Sequence, residues 1–81
     1  MQYSILLEAI DDPGFPKGYY YAHVPALDLT THGPGIEGAR AAAVDLVILW
    51  IEEKRANGES VPVERESYFA RIDLDDALLG A

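Results

Sequence analysis

The sequence predicts an α+β fold of order β-β-β-α-β, a small sheet with one helix packed on one face. Three observations predict it. Apolar residues alternate with strand period over 3–10, aromatic residues crowd 19–24, and a turn rich in Asp, Pro and Gly separates the two runs. Helical period follows over 36–55, between a Gly-Pro-Gly start and an Asn-Gly stop. Alternation returns over 67–74. At 81 residues the chain is one domain, 1–81.

In the first strand, Tyr3 to Ile10, the residues Tyr3, Ile5, Leu7 and Ala9 share one face. Ser4 and Glu8 take the other, with Leu6 between them. Asp11 to Gly18 is the turn. The second strand, Tyr19 to Val24, ends at Pro25, and a short third strand covers Leu29 to His32. These three form an antiparallel meander. In the helix, Pro34 sits at or just before the first turn and Glu37 favours the positive end of the dipole. Lys54 and Arg55 suit the last turn, and Asn57-Gly58 stops it. Ile36, Ala39, Ala43, Leu46, Val47 and Trp50 form the buried stripe, small residues early and bulky ones late. Val61 to Glu66 is a polar connection. The fourth strand, Ser67 to Leu74, turns Tyr68, Ala70, Ile72 and Leu74 inward, parallel to its neighbour by a right-handed crossover. The tail, 75–81, frays.

Some apolar residues have no place in this core. Ile48 and Leu49 lie on the side of the helix that carries Asp45 and Glu52. The sheet face away from the helix is expected to carry Tyr20, Phe69 and Leu6. Exposed apolar surface of this extent marks an interaction face. Ile48, Leu49, Glu52, Tyr20 and Phe69 are therefore the expected contacts with a partner or with a like subunit, in a homo-oligomer that is a dimer or tetramer. A domain this small gains from such association, since it hides only roughly 60% of its unfolded surface.

Acidic residues outnumber basic ones 14 to 6, for a formal net charge of −8. That balance opposes direct binding to nucleic acid and suits a basic partner. The absence of cysteine removes disulfides and thiolate metal sites and agrees with a cytoplasmic location. The first residues have no basic region and an apolar run broken at Glu8, so no signal peptide is expected. No stretch approaches the roughly 20 apolar residues of a membrane span.

No enzyme emerges from the motifs, and no cofactor is expected. Gly33 to Gly38 matches G-x-G-x-x-G, but a dinucleotide site needs a buried apolar strand before it and a larger doubly wound sheet after it. A tight turn that opens a helix, with Gly38 permitting close packing, accounts for the glycines. His23 and His32 lack the spacing of metal ligands and read as a strand residue and a turn residue in contact with solvent. Glu8, Glu37 and Asp73 are the carboxylates that a metal-dependent nuclease would need to converge. No serine lies in a nucleophile elbow, and Thr30-Thr31-His32 reads as a strand end. Tyr19-Tyr20-Tyr21, without a basic groove, reads as core filling rather than a base-stacking platform.

The run Tyr19-Tyr20-Tyr21-Ala22-His23-Val24-Pro25-Ala26-Leu27, then Thr31-His32-Gly33, then Ile36-Glu37-Gly38-Ala39 with its long helix resembles the HicB antitoxin family. Glu52, Glu53, Gly58 and Val61-Pro62 continue the likeness, which covers residues 3–63. Ala26 stands where the family has an aspartate, the P-G-C element is missing, and Gly38 replaces the usual second glutamate. A C-terminal DNA-binding segment, common in the family, does not fit in this length. The resemblance implies a partial RNase-H-like domain without nuclease activity. In the family that domain masks a HicA-type toxin, a small basic mRNA interferase. The alternative is an orphan HicB-like structural or ligand-binding module with no toxin.

Overall fold

A computed structural model of the chain describes residues 1–80. Among them, three strands and one long helix form an α+β unit. β1 is Leu6–Ala9, β2 is Tyr19–Val24, β3 is Leu29–Pro34 and α1 is Gly35–Ala56. Short 3-10 turns occupy Pro25–Leu27 and Asp76–Leu79. The sheet is antiparallel throughout, in the order β1-β2-β3, and α1 lies over β2 and β3 and barely reaches β1.

The strands form where alternating side chains find a helix to cover them. Ala22 and Val24 of β2 are buried at 0% and 1% exposure, together with Leu27, Ala39 and Ala43. Tyr3, Ile5, Leu7, Tyr20, Leu29, Val47 and Trp50 pack around this cluster. The register sets Tyr20 opposite Gly33 and Val24 opposite Leu29. Small residues let α1 come close. A Cβ on Gly33 would lie 2.6 Å from the Gly38 carbonyl, and one on Gly38 would lie 2.9 Å from the Pro34 ring. The glycine spacing thus serves backbone contact between β3 and α1. Gly35, at φ +70, turns the chain from strand into helix.

The C-terminus of α1 closes as expected. Gly58 N–H donates to the Arg55 carbonyl and Glu59 N–H to that of Lys54. The Lys54 ammonium lies 2.8 Å from Glu59 and 5.2 Å from the centre of the Trp50 ring.

Five expectations are corrected. The fourth strand does not form: residues 59–75 have no regular secondary structure, and Tyr68, Ile72 and Leu74 are 83%, 79% and 60% exposed. Alternation alone does not make a strand; it needs an edge to pair with and a face to bury against. The first strand is shorter than Tyr3 to Ile10, because β2 passes into the Pro25–Leu27 turn, which lies opposite Tyr3 and Ser4 in the register. The third strand is longer, reaching Pro34, so His32 is a strand residue.

Tyr20 faces the helix, since it shares its parity with Ala22 and Val24, and Gly33 opposite leaves room for its ring. Ile36 is 49% exposed. It points within about 20° of the buried Ala43 but stands in the first turn of α1, at the end of the sheet where β3 passes into the helix.

Candidate functional site

Because Tyr20, Ala22 and Val24 point to α1, their neighbours Tyr19, Tyr21 and His23 point to the other side of the sheet. Leu6 and Glu8 of β1, and Thr30 and His32 of β3, stand on that same side. Residues 67–69 pass beside Leu6 at one edge of this face, and part of the rest is covered by the 11–18 loop. There Asp12 caps the turn by accepting from Gly14 N–H at 2.7 Å, and Phe15 N–H donates to the Asp12 carbonyl at 3.0 Å. Phe15 then folds back onto the sheet. Its ring stands edge-on to His32 at 5.1 Å and to Tyr21 at 5.7 Å, and 6.4 Å from Tyr19. Tyr19 and His32 are 6.2 Å apart, and Tyr21 and His23 are 5.8 Å apart. The result is a continuous aromatic lane of the residue types that anchor protein contacts.

One end of the lane is polar. The His23 imidazole bridges two strands, with Nδ1 3.0 Å from Thr30 Oγ1 and Nε2 3.2 Å from Glu8 Oε1. Carboxylate, imidazole and hydroxyl in that order are the parts of an activated nucleophile. Here the Glu8 side chain is 62% exposed and the His23 side chain 29% exposed. Water screens the pair, so its contribution is that of a cross-strand contact on a solvated face.

The residues expected as contacts are scattered. Ile48 and Leu49 are exposed at 51% and 63%, unpacked by their own chain as the helix pattern predicts. Glu52 is exposed on the same helix end. Phe69 is 73% exposed on the 59–75 segment, with the Arg71 guanidinium 6.0 Å from its ring centre, and it is not part of the sheet. Tyr20 lies under α1, on the opposite side of the sheet from the lane. Glu8, Glu37 and Asp73 are not gathered: among the described residues no three His, Asp or Glu side chains converge on a metal position. Sequence reasoning passed over Phe15, placed in a turn, and Val44, a 40% exposed neighbour of Ile48. An aromatic residue inside a loop of Pro, Gly and Asp was the available signal for Phe15.

Charge is the other property of the surface. All fourteen carboxylates except that of Glu64 belong to exposed residues. Among the described residues the ion pairs are Glu8 with His23 and Lys54 with Glu59. The Glu59 hydrogen bond and charge raise the Lys54 pKa, and a hydrogen bond to Glu66 raises that of the Tyr68 hydroxyl. No described helix is long and apolar enough to cross a membrane. Comparison with protein-family models, with curated proteins and with solved structures finds no match to this chain.

Proposed function

We propose that this chain is a HicB-like, antitoxin-type protein that binds a small basic HicA-like mRNA interferase and neutralises it by masking its RNA-binding surface. The observation that carries the reading is the exposed and largely unpaired set of carboxylates on a chain of net charge −8. A surface of that sign attracts a cationic RNA-binding face and competes with phosphate for it. The aromatic lane of Phe15, Tyr19, Tyr21 and His32 adds anchors of the kind that hold protein partners. The meander followed by one helix is what remains of a partial RNase-H-like core under the same reading.

The test is isolation of the tagged chain from its native lysate at low salt, with its companions identified by mass spectrometry. The expected result is a stoichiometric small basic protein, released as salt rises, whose cleavage of RNA stops when the chain is added back. Recovery of the chain alone contradicts this reading and favours the orphan HicB-like module.

A further inference from the structure

The strand that the sequence predicts and the chain does not form leaves two incomplete surfaces. The first is at the outer edge of the sheet. β1 is an edge strand, and on the helix side Tyr3, Ile5, Val44, Val47 and Ile48 line an open groove of about 180 Å³. Val44 and Ile48 are 40% and 51% exposed there. An unpaired edge beside an apolar groove is a template for one more strand.

The second is residues 67–74. Their side chains alternate, with Tyr68, Ala70, Ile72 and Leu74 on one side and Phe69, Arg71 and Asp73 on the other. Their large apolar residues are 60–83% exposed. Eight residues of strand span about 26 Å. The run 3–10 beside which they would lie has the same length.

In its own chain the segment is held away from that edge. The Tyr3 hydroxyl donates to the Pro62 carbonyl. Ser4 donates its N–H and its hydroxyl to the Glu64 carboxylate, at 2.6 and 2.8 Å. These contacts tie residues 62 and 64 to the start of the run 3–10. Residues 67–69 then pass against Ser4, Ile5, Leu6 and Pro25 around a cleft of about 560 Å³ without pairing. The molecule extends 53 × 31 × 18 Å. Its radius of gyration is 16.0 Å, against about 12 Å for a compact domain of this length.

We propose that residues 67–74 are a strand in trans. They add to the free edge of β1 in a second copy of this chain and lay Tyr68, Ile72 and Leu74 over that copy's Ile5, Val44 and Ile48, and the exchange is reciprocal. Three observations favour a second copy over a foreign strand. The segment shares the alternation of the run 3–10, and its eight residues are enough to span the four of β1. Residues 67–74 carry one Arg and one Asp, a neutral stretch in a chain of −8, so two acidic copies meet where they repel least. With Ile72 turned to the groove, Arg71 and Asp73 fall on the face that carries Glu8, where Arg71 offers that carboxylate a cation. Hiding about 400 Å² of each arm and as much of each groove reaches the roughly 1,600 Å² of a stable interface. A two-fold exchange also closes, leaving neither edge open. None of this rests on the antitoxin reading.

The test is complementation between two variants of the full chain, read as mass in solution by light scattering. The parent chain is expected at twice 8.9 kDa. Ile72→Asp removes the arm and Ile48→Asp the groove. Each acts twice in a symmetric dimer, so each raises the dimer Kd about 100-fold and gives single-chain mass. Mixing the two restores a dimer through one intact site, the arm of the Ile48→Asp chain on the groove of the Ile72→Asp chain, with a Kd about tenfold above that of the parent. A parent chain of single mass at every concentration overturns the proposal and leaves the edge to a foreign strand. So does a dimer indifferent to Ile72→Asp, or a mixture that stays monomeric. If Ile48→Asp loses its helical circular dichroism, Val44→Lys takes its place as the groove variant.

Discussion

Residues 19–24 and residues 67–74 both read as strands, yet one is the centre of the molecule and the other lies outside it. Ala22 and Val24 are 0% and 1% exposed; Tyr68 and Ile72 are 83% and 79% exposed. Strand propensity does not separate them, since both contain aromatic and branched residues. Neighbours do. β2 has β1 and β3 on its two edges and α1 over its face, whereas 67–74 pairs with no strand of its own chain. The alternation states which side of a strand is to be buried, and the surface that buries it is a separate requirement.

Substitutions break or sharpen that contrast. The largest effect belongs to Gly33→Val, whose Cβ would lie 2.6 Å from the Gly38 carbonyl and lift α1 off β3. The expected loss is about 3 kcal/mol, a fall in Tm of roughly 15 °C by circular dichroism. An unchanged Tm would remove the close contact from the account. Val24→Ala comes next, at roughly 2 kcal/mol, since it empties space inside the small core. Ile72→Ala is its counterpart on the arm. In dilute solution its denaturant midpoint stays within about 0.5 kcal/mol of the parent, and a gap opens only as concentration rises. A loss as large as that of Val24→Ala in dilute solution would mean that residues 67–74 belong to the core of their own chain.

Smaller effects test the polar contacts. Glu8→Ala and His23→Ala each lower stability by about 0.5 kcal/mol, and the double variant by less than their sum, as expected of one screened pair. At the helix end the sign follows from the raised Lys54 pKa. A cation held above its ordinary 10.5 stabilises the fold below that pH, and the contribution disappears as pH rises through the folded value. Urea midpoints on either side of pH 10.5 show a small loss in the parent, and Glu59→Gln flattens it.

The parts of the fold legible in the sequence are those set by local rules. The helix start at Pro34-Gly35, the stop at Asn57-Gly58, the turn over 11–18 and the meander all follow from backbone restrictions that each residue carries itself. Two errors share another cause. The side taken by Tyr20 depends on which parity of a uniformly aromatic run meets Gly33, and three successive tyrosines leave that parity unmarked. The fourth strand depends on where the chain is led after α1, and the Ser4–Glu64 contact that ties it down joins residues 60 positions apart. Of the candidate contacts, Ile48 and Leu49 were legible because helical period alone leaves them outside the stripe. The lane of Phe15, Tyr21 and His32 was not, since it assembles from a loop and two strands.

Hydrogen exchange with peptide-level mass spectrometry, run on the full chain at low and at high concentration, tests the central contrast most directly. Amides of β2 and α1 are expected to be protected at both concentrations. Those of residues 67–74 are expected to exchange within seconds in dilute solution and to slow in concentrated solution, as the arm finds the edge of a second copy. Protection of residues 67–74 in dilute solution, or rapid exchange there at every concentration, would contradict the account.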